Sequence, residues 1–165
     1  MDDAQFRDAV NDHKDRVYTF AMWSLGNREE ASDVTQEAFM RLWGHRNRVD
    51  SNAARAWLLK TTRRLCIDHI RKRRRTTSPE AIDSVISSGP ADGPLTDGEL
   101  RRAVAVAYAE LSERDQSLLH LRDVQGLGHE QIGSILGMAH TAVRVGVHRA
   151  RARLRAILER AEVRL

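Results

Sequence analysis

TTSPEAIDSVISSGPADGPLTDG, residues 76–98, decides how this 165-residue chain is organised. It holds all three prolines (Pro79, Pro90, Pro94), three glycines, four serines and four acids, with no lysine or arginine. Proline lacks an amide donor and glycine loses the most backbone freedom on ordering, so this stretch resists both helix and sheet. It reads as a flexible acidic linker, reaching roughly 75 Å if fully extended at ~3.3 Å per residue and ~25–30 Å as a relaxed coil. Charge divides at the same place. Residues 1–75 carry a balance of +5, residues 76–98 of −4, and residues 99–165 of +3, within a total of +4. Two basic blocks therefore flank an acidic strap. Each block is small enough to bury only a modest core, which suits helical bundles that gain stability from a partner.

The whole-chain composition narrows the class. Hydrophobic residues at 41% are too many for a disordered chain, and charged residues at 30% are too many for a membrane protein. No run approaches the ~18 apolar residues of a membrane span, and MDDAQFRDAV at the start is too acidic and polar for a signal peptide. A single cysteine, Cys66, excludes a disulfide framework and a cysteine-rich zinc site. A soluble, cytoplasmic protein is expected, with no membrane insertion.

Outward from the linker, helical periodicity dominates and hairpin signals are missing. Before it, a helix is expected from about Ala4 to Leu25, with Phe6, Val10, Val17, Phe20, Ala21 and Leu25 near one face. Asn27, with Glu30 three residues on, caps a second helix that Gly44 ends. Gly44–Asn52 is a polar loop, and a third helix runs from near Ala53 to Arg74. After the linker, Thr96 with Glu99 and then Ser112 mark two further helix starts. HEQIGSIL makes a short helix stopped by Gly137, and a last helix runs from His140 to about Ala161. The expected fold is all-α, with seven helices in two small domains. A three-helix domain spans 1–75 and a four-helix, helix–turn–helix domain spans 99–165.

Enzyme motifs fail on spacing. His129-Glu130 lacks the second histidine four residues after the first, because Gly133 stands there. Gly126, Gly128 and Gly133 precede no Gly-Lys-Ser/Thr, so they make no phosphate loop. Cys66 reads as a buried thiol. No catalytic residue, metal site or cofactor is expected.

Binding chemistry is more legible. In Gly128–Arg155 a short helix, a tight Gly137–Ala139 turn and a longer helix give helix–turn–helix syntax. Val143, Val147, Ala150 and Leu154 form one stripe, and His140, Thr141, Arg144, His148, Arg151 and Arg155 the opposite one. Such a helix suits the major groove, with Arg144 placed to read guanine edges and later arginines to hold phosphates. The plainer reading is a solvated basic face. In RRLCIDHIRKRRR, residues 63–75, seven of 13 side chains are Arg or Lys, a composition that attracts phosphate. Trp57, Leu58, Thr61 and Leu65 read as its core stripe. The second helix, DVTQEAFMRLW, has an apolar stripe at Val34, Ala38 and Met40–Trp43. Its Asp33, Gln36, Glu37 and Arg41 form either a solvated face or a docking surface for a protein.

The ordered set resembles a bacterial group 4 (extracytoplasmic-function, ECF) sigma factor of the sigma-70 family, the promoter-specificity subunit of RNA polymerase. DVTQEAFMRLW is similar to the family's polymerase-docking helix. RAWLLKTTRRLCIDHIRKRRR is similar to its −10-element helix, and the segment from LSERDQ to RARARL to its −35-binding domain. The resemblance implies that Asp33, Gln36, Glu37 and Arg41 contact the clamp helices of the largest polymerase subunit, with the flap of the second largest as a further partner. It implies that the Gly44–Asn52 loop, with Arg46, Asn47, Arg48 and Asn52, cups a flipped base. Lys60, Arg63, Arg64, Arg71 and Arg74 would grip the −10 region. His140, Thr141, Arg144, Val145, His148 and Arg149 would lie at the −35 element. The acidic strap would run through the RNA-exit path, and an anti-sigma factor is an expected partner, since no further regulatory domain is evident in the chain.

Several positions depart from the family pattern. Gly128 and Ala139 stand where Ser or Thr usually caps the two helices of the motif, Ala139 at a cost of ~1 kcal/mol. Val145 and Gly146 replace a polar residue and an arginine, and Gly146 costs about 1 kcal/mol within a helix. Arg64 replaces a common Asn. A weakened −35 contact is the expected consequence. Two other readings fit part of the chain: a stand-alone helix–turn–helix regulator, and a sigma mimic that titrates an anti-sigma factor.

Overall fold

The computed structural model describes residues 1–76 and 97–161. Seven α-helices, a 3-10 turn and a π-turn make up the regular structure, with no strand among the described residues. The interior of the linker and the Thr96 cap lie outside the described residues. At the linker's margins, Thr76 ends one helix and Asp97 and Gly98 open the next.

Helix α1 (Asp3–Leu25) starts at Asp2, whose side chain accepts from the Gln5 amide at 2.8 Å while Gln5 Oε1 accepts from the Asp2 amide at 2.9 Å. It stops at Gly26, which adopts the left-handed conformation (φ 66°) that a side chain would disfavour. Helix α2 (Arg28–Gly44) follows, and Asn27 Oδ1 accepts from the Glu30 amide at 3.0 Å, as its spacing predicts. Gly44 is the last residue of α2 rather than a left-handed cap, since the chain leaves through His45 with φ −106°. A 3-10 turn (Ser51–Ala53) leads into α3 (Ala54–Thr76), a 23-residue rod of about 34 Å. Val17, Phe20, Ala21, Ala31, Val34, Ala38, Leu42, Leu58 and Leu59 are all buried between these three helices. Met40 and Trp43 depart from the expected apolar stripe of α2 and are 62% and 39% exposed, although the Trp43 ring still meets the Phe6 ring of α1 edge-on at 4.9 Å.

The second unit begins with α4 (Asp97–Ala109) and α5 (Glu113–Leu119), the latter capped by Ser112. A π-turn (His120–Val124) continues α5, and then come α6 (His129–Leu136) and α7 (His140–Arg160). Val143, Val147 and Ala150 are buried along α7, and Leu154 is partly so. Gly146 also faces inward. A Cβ there would lie 2.8 Å from Leu118 Cδ1, so glycine lets α7 approach α5 closely.

The two units pack on each other through α1 and α3 on one side and the end of α4 with the α5–π-turn–α6 segment on the other. The Phe20 ring meets His120 edge-on at 4.7 Å, and Trp23 meets Tyr108 at 5.0 Å. Arg55 Nη2 donates to the Gln125 carbonyl at 2.6 Å, and Arg63 Nε donates to Ser117 Oγ at 3.1 Å. The main apolar core runs through this seam, joining Phe20 and Leu59 to Leu118, Leu121, Leu127 and Ile132.

Candidate nucleic-acid interface

The motif from α6 to α7 is built by three glycines and one short turn. Gly128 opens α6 without a side chain to cap it, but Gln131 Oε1 reaches back and accepts from the Gly128 amide at 3.0 Å. Gly137 closes α6 at φ 67°. Gly133 makes the turn tight. Any Cβ there would sit 2.5 Å from the Met138 carbonyl oxygen, and the Met138 amide donates to the Gly133 carbonyl at 2.9 Å. Ala139 precedes α7 with no side-chain cap, leaving first-turn amides of α7 unoccupied at the mouth of the motif.

Along α7, His140, Thr141, Arg144, Val145, His148 and Arg149 are all exposed. Arg151 belongs less to this face. It is tied to Asp123 of the π-turn through a two-pronged pair, with Nε–Oδ2 at 3.1 Å, and that hydrogen bond raises its pKa. Arg153 is held by the buried Asp115 at 2.7 Å. Gly146 is not on the exposed stripe, so its lack of an arginine is a packing matter for α5 and α7.

The structure adds a residue that spacing did not single out. His129, the first residue of α6, stacks edge-on against His140, the first of α7, at 5.4 Å. Arg122, His140, Arg144 and Arg151 all act on it as like charges, and its pKa is lowered by slight desolvation and then by them. A cluster of cations around two helix starts favours an anion such as phosphate. The sequence clue was the recurrence of His at both helix starts, 11 positions apart.

On α3, Lys60, Arg64, Arg71 and Arg74 are exposed and form no ion pair among the described residues. Arg63 differs from them. It is half-buried in the seam against Ser117, and burial lowers its pKa. Arg73 is drawn to the α1–α2 corner, 3.5 Å from both the Leu25 carbonyl and Glu30. In the loop after α2, Asn47, Arg48 and Asn52 are exposed. Arg46 folds back, its guanidinium 4.0 Å over the Trp43 ring and donating to the Trp43 carbonyl at 3.1 Å. The amino terminus of Met1 donates to the Arg46 carbonyl at 2.9 Å and fixes this loop. On α2, Asp33, Gln36 and Arg41 are exposed and Glu37 partly so, and Glu37 pairs with Arg41 at 2.7 Å. Cys66 is 2% exposed, and burial pushes its thiol pKa up to about 12.

An all-helical body with one open helix–turn–helix face, one open cationic rod and a separate mixed-charge helix defines a DNA-binding transcription protein. Comparison with known proteins gives the particular family. Residues 9–76 match Sigma-70 region 2, and residues 101–154 match Sigma-70, region 4. The ECF RNA polymerase sigma factor SigE of Mycolicibacterium smegmatis is 33% identical over 150 residues, covering 88% of this chain and 58% of that protein. SigW of Bacillus subtilis is 29% identical over 167 residues, covering 93% of this chain and 89% of that one. Two solved structures share the fold over 93% of this chain. They are the sigma factor RpoE in complex with the anti-sigma factor NepR from Bartonella quintana (TM-score 0.73, 24% identity, 96% of that chain) and CnrH in complex with the cytosolic domain of CnrY (TM-score 0.67, 22% identity, 87% of that chain). The chain belongs to the ECF sigma factors of the sigma-70 family. Among the described residues, no helix is long and apolar enough to cross a membrane.

Proposed function

We propose that this protein is a specificity subunit without catalysis of its own, which binds RNA polymerase core in the cytoplasm and directs initiation at particular promoters. The observation that carries this reading is the pairing, on one chain and in order, of sigma-70 region 2 and region 4 matches with an exposed cationic face on each. Residues 1–75 form the polymerase-docking and −10 domain, 76–98 the acidic strap, and 99–165 the −35 domain. Asp33, Gln36, Glu37 and Arg41 dock α2 on the clamp helices of the largest subunit, and the second unit contacts the flap of the second largest. Lys60, Arg64, Arg71 and Arg74 follow the −10 phosphates, with Arg63 joining them once the seam parts. Asn47, Arg48 and Asn52 line the loop for a flipped base, and Arg46 braces Trp43 beside it. At the −35 element, Arg144 reads base edges, flanked by His140, Thr141, Val145, His148 and Arg149. Binding energy from both faces offsets part of the cost of melting the duplex. An anti-sigma factor is the proposed protein regulator. RpoE, which shares the fold, was captured with the anti-sigma factor NepR, and CnrH with the cytosolic domain of CnrY.

Reconstitution with polymerase core tests this reading. The protein should co-elute with core and support run-off transcription from a genomic template pool, and Arg144→Ala should lower promoter-specific product at least tenfold. Binding to duplex DNA alone, without programming core, would instead identify a stand-alone regulator. Failure to bind either, with capture of an anti-sigma factor, would identify a mimic.

A further inference from the structure

The seam between the two units is closed by a polar knot buried among apolar side chains. His120 is 1% exposed and Gln125 5%. The Gln125 side-chain amide nitrogen has two protons, and both are committed: one to His120 Nε2 at 3.0 Å, the other to the Arg16 carbonyl of α1 at 3.1 Å. His120 Nε2 must therefore accept, which fixes the ring as the neutral tautomer with its proton on Nδ1. Turning the Gln125 amide over would set its oxygen against the Arg16 carbonyl, so the arrangement has one orientation. Arg55 of α3 holds the Gln125 carbonyl from the other side at 2.6 Å.

The knot is incompletely satisfied. His120 Nδ1, Gln125 Oε1, Arg55 Nε and His13 Nδ1 are buried without a hydrogen-bond partner among the described residues. These four orphans lie at or beside the seam, and unpaired buried groups weaken an interface. The charged groups that line it are mostly cations. Helix α1 brings His13 and Arg16, with Asp12 beside His13, and α3 brings Arg55 and Arg63. Glu113 of α5 acts on Arg63, and Asp123, next to Arg122, is tied to Arg151. Among the described residues no carboxylate is paired with His120, which meets the Phe20 ring and the Gln125 amide.

We infer that this seam is an acid-sensitive latch: protonation of His120 sets N–H against N–H at Gln125, parts the two units, and frees Arg63 and the adjoining edge of α3. Burial alone already holds the ring neutral, lowering its pKa to about 4. Once the units part, the ring regains an ordinary value near 6.5. The depressed value belongs to the closed state, so closure is at full strength above about pH 6.5 and weakens as pH falls toward 4. Linkage then shifts the closed–open equilibrium toward open by about tenfold between pH 7.5 and pH 5.5. Opening of the latch stands apart from the promoter reading; the gain in DNA binding rests on α3 being the −10 helix.

Small-angle scattering of the full chain at pH 7.5 and 5.5, with His120→Gln alongside, tests the latch. The wild-type radius of gyration should rise at pH 5.5 and that of His120→Gln should be the same at both pH values. An unchanged wild type, or equal expansion in both proteins, would overturn the latch. Should His120→Gln fold poorly, the wild-type His120 ring resonance serves instead, since it must titrate in step with the expansion. Binding of a fluorescent single-stranded DNA oligonucleotide, measured in parallel, should strengthen several-fold more in wild type than in the variant on acidification. Expansion without that gain would overturn the assignment of α3 and leave the latch standing.

Discussion

Single side chains carry the sharpest consequences. Gly133 is needed because a methyl group there would collide with backbone, which cannot rotate aside as a side-chain end can. Gly133→Ala should destabilise the second unit by about 1–3 kcal/mol, read from the urea midpoint; an unchanged midpoint would mean that the α6–α7 turn is looser than described. The histidines make a different kind of statement. Desolvation and then the neighbouring cations lower the His129 pKa in the free protein; a phosphate set among those cations opposes the second cause and raises it, so that binding takes up a proton. Affinity for duplex promoter DNA should therefore climb as pH drops through the histidine range, and His129→Gln should flatten that slope. Cys66, its pKa pushed up to about 12 inside the core, should resist iodoacetamide at pH 8 in the folded protein and react once urea is added.

Helices α2 and α3 show how far patterning reaches at the level of the element. Capping residues, glycine stops and charge runs place the helices where they form, because these signals act within one or two turns. Which member of an apolar stripe is buried depends on neighbours. Met40 fits the period of α2 yet is 62% exposed, Trp43 meets α1 through the Phe6 ring and is still 39% exposed, and Gly146 sits mid-helix where Leu118 takes the space. The Glu37–Arg41 pair on α2 offers a clean separation of roles. As an exposed i,i+4 pair it stabilises the helix by only ~0.3–0.5 kcal/mol, so exchanging the two residues should leave thermal unfolding nearly unchanged. If α2 docks on polymerase, the same exchange should weaken association with core at least tenfold in a sedimentation or pull-down assay. Intact association would return that face to the role of a solvated surface.

For the molecule as a whole, the seam governs both stability and access. All three tryptophans (Trp23, Trp43, Trp57) lie in the first unit, with Trp23 in the seam against Tyr108, so fluorescence reports that unit and its seam while far-ultraviolet dichroism reports both units. With a core that runs through the seam, the two urea transitions should coincide at pH 7.5. At pH 5.5, with the latch weakened, they should separate. The recognition face of α7 stays exposed in the closed arrangement, whereas one edge of α3 is covered through Arg63. The two DNA faces of the chain are thus unequally available before any partner binds.

From the order of residues alone came the all-helical class, the seven helices, the helix–turn–helix and the two basic faces. These follow from periodicity, caps and net charge, which are local properties of a chain. Only the tertiary structure decided that Arg63 and Arg46 fold back on the protein, that His129 joins His140, and that His120 and Gln125 lock the units together. In sequence, His120 sits within the apolar run LLHL and Gln125 in a turn, and neither carries a mark of its role. Their meaning depends on an Arg16 carbonyl 109 residues away, and contacts across such distances are fixed by packing, which periodicity does not encode.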